Sequence, residues 1–222
     1  MPSAEQSRVF WDTIGILQKA GALEHLVIIG SWAEYIYEQD GIMDGFSSAI
    51  KTRDVDFLIP NIRKPRTKVD MVALLEANGF IVQQSSVTQQ HRFFKPELEV
   101  EFLVREIGAG QSEPYSAPGF GIKVTGLRHL DLLLENLMKV NVQGFDIQVP
   151  SPEAYVFHKL LIQRQTDEKA KKDLRAIENL LEYIRQYPQR ISDLQQMYGK
   201  LTHKQQRRIT DRCQENGIEL QI

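Results

Sequence analysis

The sequence predicts an α/β (α+β) fold in two parts, and three observations support this. Short apolar runs typical of strands alternate with helical patterns through the first 150 residues. The segment Pro150-Ser151-Pro152-Glu153 marks a boundary, because Ser151 can cap a helix whose first residue is Pro152. Every later periodic segment is helical. We therefore expect an α/β domain over residues 1–150 and a helical region over 151–222 packed on it.

The amino-acid composition limits the classes of protein to which this chain can belong. The chain has 222 residues, 42% of them hydrophobic, which is enough for an ordinary packed core. The single cysteine excludes an internal disulfide and favours a cytoplasmic protein. No apolar run approaches the roughly 18 residues of a membrane span, and no secretion signal is expected.

The elements of the first part alternate in type. Ser31 is expected to cap the second helix, and the segments 40–51 and 108–121 are expected to be loops because they are rich in glycine and serine. In chain order we expect a helix over 5–20, a strand over 26–29, a helix from Ser31, a strand over 53–59, a helix over 68–78, a strand over 80–84, a hairpin of 91–94 with 98–104, and a hairpin of 137–142 with 145–149.

Four helices are expected in the second part. Thr202 and Gln205 have the spacing of a capping box at the start of the last one. The expected ranges are 152–164, 167–186, 190–198 and 203–216.

Acidic residues alternate with apolar residues on two of the expected strands. Asp54 and Asp56 should share one face of the first strand, and Glu99 and Glu101 should repeat this geometry on the second. Ionised carboxylates crowded on one face repel each other unless cations lie between them. Hard divalent cations such as Mg²⁺ are the natural candidates.

A glycine and a serine follow the apolar run that precedes these strands. Gly30 and Ser31 join a strand to a helix, where free backbone amides and the positive end of the helix dipole suit a phosphate group. If this strand and the Asp54 strand are neighbours, the aspartates could hold one or two magnesium ions against a triphosphate. A third carboxylate, Glu101, would complete the second metal site.

This pattern resembles the DNA polymerase β-like nucleotidyltransferase superfamily, with Gly30-Ser31, Asp54-x-Asp56 and a distal Glu101. It is most similar to bacterial uncharacterised and toxin-related branches, on the segments Thr52–Leu58 and Pro152–Leu160. The resemblance covers residues 20 to 185. Two differences from the family pattern are the long spacing from Ser31 to Asp54 and a glutamate at position 101 instead of the commoner aspartate.

The resemblance implies a mixed β-sheet core flanked by helices and transfer of a nucleoside monophosphate from an NTP to a hydroxyl of RNA, protein or a small molecule. Mg²⁺ would be the cofactor, with Asp54, Asp56 and Glu101 as catalytic residues and metal ligands. Gly30, Ser31, Lys159 and Lys172 would bind the nucleotide.

Simpler interpretations remain open at each position. Ser31 could only cap a helix, and Glu99 and Glu101 could lie on an ordinary solvated strand face. Lys159 could point to water, and basic residues on the last helices could belong to solvated faces rather than bind RNA. The alternative function is a catalytically silent module of the same fold that binds a protein or nucleic-acid partner.

Overall fold

The computed structural model describes residues 2–39, 41, 43, 46–48, 52–86, 89–106, 108, 110, 113–162 and 166–222. The chain divides into two compact units. The α/β unit comprises Met1–Leu130 and Leu137–Val149, and the helical unit comprises Asp131–Asn136 and Pro150–Ile222. The main division therefore falls between Val149 and Pro150.

The helices and strands are numbered in chain order. The helices are α1 (Ala4–Lys19), α2 (Ser31–Gln39), α3 (Met71–Ala77), α4 (Leu130–Leu134), α5 (Pro152–Leu161), α6 (Asp167–Ile184), α7 (Pro188–Lys200) and α8 (His203–Asn216). The strands are β1 (Val27–Ile29), β2 (Asp54–Leu58), β3 (Ile81–Gln84), β4 (His91–Phe94), β5 (Glu99–Arg105), β6 (Tyr115–Ala117), β7 (Ile122–Leu127), β8 (Leu137–Val142) and β9 (Phe145–Pro150).

The central sheet is mixed, which confirms the expected fold class. Its order is β1-β2-β5-β4-β3, and β7 also pairs with β5 and carries β6 on its other edge. The pairs β2–β5 and β5–β7 are parallel, whereas β1–β2, β3–β4, β4–β5 and β6–β7 are antiparallel. Strands β8 and β9 form a separate hairpin.

At the central strands β2 and β5, one face of the sheet is apolar and buried. Val55 and Phe57 of β2 are buried beside Val100 and Phe102 of β5. The rings of Phe57 and Phe102 stack with centroids 5.6 Å apart. Because alternate strand residues point to opposite faces, this packing fixes Asp54 and Asp56 on the other face.

Four elements differ from the expectations. Part of the segment expected as a loop over 108–121 is strand β6, and β7 and α4 follow it without having been predicted. Helix α3 begins at Met71 rather than at residue 68, because the Asp70 side chain accepts a hydrogen bond from the Ala73 amide and caps the helix there. The other expected loop, 40–51, lies largely outside the described residues.

Helix α5 begins at the position expected for it, after Ser151. The Ser151 hydroxyl accepts a hydrogen bond from the Ala154 amide, with Pro152 in the first turn of α5. Thr202 and Gln205 form the predicted capping box of α8. Helix α5 packs against α6, α7 and α8. In the described part of the chain, none of the helices combines the length and the apolar character needed to cross a membrane.

Candidate active site

Four carboxylates lie on one face of the two central parallel strands. The register pairs Asp54 of β2 with Glu99 of β5, and Asp56 with Glu101. Directly paired residues on neighbouring strands project from the same face, so the carboxylates form a two-by-two group on the side opposite the apolar core. The structure thus brings together the acidic residues that the sequence singled out.

The electrostatics of Glu99 reflect this crowding. Its pKa is raised, first by burial and then by the negative charge of Asp54, with a smaller contribution from Glu101. The positive charge of Arg92 acts in the opposite direction but does not cancel these effects. Desolvation and like charges both disfavour the ionised form of a carboxyl group. The face is therefore one where added positive charge would be favourable.

Gly30 and Asp56 approach each other closely at the end of β1. Strand β1 pairs with β2 and sets Ile29 opposite Asp56, as expected for neighbouring strands. Gly30 has a φ of +67°, and a Cβ added to it would stand 2.7 Å from Asp56 Oδ2. The absence of a side chain at this position leaves room for the aspartate.

Helix α2 starts directly after this glycine. Its first residue is Ser31, so the residue expected to precede the helix as a cap is itself helical. The first amides of a helix have no partner within the helix and carry partial positive charge. Ser31, the first residue of α2, therefore directly follows the glycine that contacts Asp56.

The carboxylate of Glu101 already has two partners on the polypeptide. Gln90 Nε2 donates a hydrogen bond to Glu101 Oε1 at 2.6 Å. Arg92 Nη2 lies 3.5 Å from the same oxygen, and Arg92 Nη1 lies 3.4 Å from Glu99 Oε1. Gln90 was not expected from the sequence as a partner of Glu101. The signal was available in the short Pro96-Glu97 turn, which sets β4 against β5.

The oxygen donors on this face suit Mg²⁺ in their chemistry. Asp54, Asp56 and Glu101 offer carboxylate ligands from neighbouring strands. Within the described ranges, however, no three acidic, histidine or cysteine side chains are gathered closely enough to hold one metal ion. The strands place the donors as neighbours, and Glu101 would have to exchange its present partners to join a common ion.

The two lysines expected to bind nucleotide lie in the helical unit and differ in environment. Lys159 is buried, and its Nζ lies 2.5 Å from Asp173 Oδ1 and 5.1 Å from the centroid of the Tyr155 ring. Lys172 is exposed on α6. The buried ion pair gives Lys159 a role in packing α5 against α6, and the nucleotide contacts of both lysines stay predictions.

Basic side chains also line a shallow groove along α8. Arg212 Nη1 donates a hydrogen bond to the Ile162 carbonyl at 2.6 Å, which holds one of these cations in place. The groove is lined by Lys204, Arg207, Arg208, Asp211, Arg212 and Glu215.

Comparison with known proteins identifies a family. A family model described as nucleotidyltransferase matches residues 10–200. This match confirms the superfamily resemblance, whereas the bacterial toxin-related branch stays a prediction. No curated protein matches the sequence.

Solved structures are similar at low identity. An antigenic nucleotidyltransferase-like protein from Paracoccidioides brasiliensis has a TM-score of 0.53 and 17% identity, covering 98% of this chain and 91% of that chain. This likeness supports the fold. The antibiotic-resistance factor ANT(2'')-Ia has a TM-score of 0.43 and 13% identity, with coverage of 93% and 95%. A tRNA nucleotidyltransferase complexed with a primer tRNA and an incoming ATP analog has a TM-score of 0.27 and 12% identity, with coverage of 93% and 62%.

Proposed function

Because this chain belongs to the nucleotidyltransferase family, we propose that it transfers a nucleoside monophosphate from an NTP to a hydroxyl acceptor in a magnesium-dependent reaction. The observation that carries the proposal is the parallel register that sets Asp54 beside Glu99 and Asp56 beside Glu101. A face that gathers negative charge next to a helix start suits a bound cation and a phosphate chain.

The proposed chemistry is a substitution at the α-phosphorus. The acceptor hydroxyl forms a new P–O bond, the bond between the α- and β-phosphates breaks, and pyrophosphate leaves. When bound, magnesium neutralises the phosphate charge and lowers the pKa of the attacking hydroxyl. Asp54, Asp56 and Glu101 are the residues that would hold it, and Glu101 also accepts the hydroxyl proton.

Nucleotide binding is assigned to two groups of residues. Gly30 and Ser31 bind the triphosphate through backbone amides at the start of α2 and through the serine hydroxyl, and the position of Ser31 as the first residue of that helix supports this assignment. Lys159 and Lys172 of the helical unit are proposed as further contacts. For Lys159 this contact would require its ion pair with Asp173 to open or to be shared.

The acceptor is a hydroxyl of RNA, protein or a small molecule, and the chain's charge distribution favours an anionic one. Residues 1–152 carry a formal net charge of about −5 and residues 153–222 about +3. The basic groove on α8 is a surface of the helical unit suited to phosphates of an RNA partner. The proposal places the enzyme in the cytoplasm, where its single cysteine stays reduced.

Labelling with an NTP radioactive at the α-phosphate tests the proposal. Asp56→Asn removes a charge from the carboxylate face at nearly constant volume and is expected to abolish transfer of label to an acceptor. Asp146→Asn is the matched control, because Asp146 pairs with Asn141 at 2.7 Å in the separate β8–β9 hairpin. Equal labelling by both variants, with circular dichroism unchanged, would remove Asp56 from the mechanism.

Thermal denaturation distinguishes the enzyme from a silent binding module. Magnesium with NTP should raise the Tm of a protein that binds both, since a ligand that binds only the folded state stabilises it by mass action. The Asp56→Asn variant should lose this increase. If magnesium and NTP together do not change the Tm of the parent protein, the result would favour the catalytically silent binding module.

A further inference from the structure

The guanidinium of Arg92 bridges two carboxylates of the candidate active site. Hairpin β4–β5 pairs Arg92 with Glu101, so both side chains lie on the carboxylate face. Arg92 Nη1 lies 3.4 Å from Glu99 Oε1, and Nη2 lies 3.5 Å from Glu101 Oε1. One side chain thus supplies a positive charge to both acidic positions of β5.

Arg92, Glu99 and Glu101 differ in their exposure to solvent. Arg92 is 47% exposed, whereas the side chains of Glu99 and Glu101 are 18% and 20% exposed. The carboxylates are therefore held in the sheet, while the arginine can rotate into solvent. Ion pairs with a half-exposed partner are weak because water solvates the released charge.

We propose that Arg92 is a built-in counterion that occupies Glu99 and Glu101 when no divalent cation is bound and competes with that cation for Glu101. This inference rests on the proposed function, because it concerns the regulation of the same metal site. The hydrogen bond from Gln90 to Glu101 supports it, since both partners of Glu101 come from or directly precede β4. Binding of the cation would then release Arg92 from the carboxylate face.

The counterion role and a purely structural role of Arg92 predict opposite changes in metal affinity when Arg92 is replaced. If Arg92 only supported the fold, its loss would loosen the carboxylates and weaken metal binding. If Arg92 competes with the metal, its loss frees Glu101 and strengthens metal binding. The direction of the change in cation affinity therefore separates the two.

The test measures binding of Mn²⁺ alone to the full chain by electron paramagnetic resonance of the free ion. Arg92→Met and Arg92→Gln should bind Mn²⁺ roughly threefold to tenfold more tightly than the parent protein, the range expected when weak ion pairs are lost. Arg92→Lys keeps the charge and should restore parental affinity. Circular dichroism and Tm verify that each variant is folded.

Arg53→Met is the matched control for the general loss of a positive charge near the carboxylates. Arg53 also acts electrostatically on Glu99, but its Nη1 donates to the Pro96 carbonyl at 2.8 Å. Its removal lowers the positive charge near the face without freeing Glu101, so Mn²⁺ affinity should change by less than about twofold.

The outcomes separate this inference from the proposed function. Mn²⁺ binding by the parent protein with equal or weaker binding by both uncharged Arg92 variants would overturn the counterion role and leave the metal site standing. An equal gain in Arg53→Met would also overturn it. Absence of Mn²⁺ binding in the parent and in every variant would overturn both the inference and the magnesium-dependent function.

Discussion

Oδ2 of Asp56 lies 2.7 Å from the point that a Cβ would occupy on Gly30. Gly30 has a φ of +67°, which other residues rarely adopt. Because it has no Cβ, the Asp56 carboxylate can approach its backbone closely. Strand β1 ends and helix α2 begins at this point. The relationship links the glycine-serine turn to the carboxylate face through a contact that a single methyl group would disturb.

Gly30→Ala is expected to impair both stability and activity. The left-handed backbone alone costs about 1–2 kcal/mol with alanine, and the new Cβ must displace the Asp56 carboxylate. Gly21→Ala is the control, since Gly21 has a φ of +66° with no atom near the added Cβ. Urea denaturation should show a loss of stability in both variants that is larger in Gly30→Ala, and α-label transfer should fall only in Gly30→Ala. Equal activities would show that Asp56 tolerates the displacement.

Glu99→Gln is expected to stabilise the protein at neutral pH. The pKa of Glu99 is raised above its ordinary value of 4.5 by burial and then by Asp54, so ionisation costs stability in the folded state. This cost develops as pH rises through the ordinary value and is complete above the raised pKa. Urea denaturation should show a gain in stability at pH 7 that disappears well below pH 4.5. A less stable variant at pH 7 would mean that the attraction to Arg92 dominates.

Lys159→Met is expected to destabilise the helical unit strongly. It leaves the buried Asp173 carboxylate without the ammonium that lies 2.5 Å from it, which costs about 3–5 kcal/mol. The double variant Lys159→Met with Asp173→Leu should recover most of the loss in urea denaturation, because no buried charge remains.

The same double variant tests the nucleotide contact of Lys159. Once folding is restored, a contact with the nucleotide predicts weaker NTP binding than in the parent protein by calorimetry. An unchanged affinity would limit Lys159 to its role between α5 and α6. Lys172→Gln, on the exposed part of α6, gives the corresponding measurement for the second lysine.

Cys213 is expected to resist alkylation in the folded protein. Burial raises the pKa of its thiol to about 11 from an ordinary value of 9.0. At pH 8 this lowers the thiolate fraction about a hundredfold, and the thiolate is the reactive form. Reaction with iodoacetamide, followed by mass spectrometry, should be slow in buffer and fast in denaturing urea. Rapid modification in buffer would show that the end of α8 opens readily.

Local patterns predicted much of the fold correctly. The Ser151 cap of α5, the capping box at Thr202 and the strand of Asp54 depend on residues close in sequence, and each is found in the structure. Strand β7 was missed because it follows a glycine-rich segment and is formed by pairing with β5, a partner distant in sequence. Its pairing provides hydrogen bonds that a local pattern does not reveal.

Local sequence was enough to assign residues to strand faces. The two-residue period of a strand, with Val55 and Phe57 buried, leaves Asp54 and Asp56 together on the opposite side. The sequence does not reveal that β2 and β5 run parallel in a register that pairs Asp56 with Glu101, or that Arg92 reaches Glu101 from β4; both depend on the folded sheet. Register and strand order depend on contacts between segments far apart in the chain, and these contacts form only when the whole core packs.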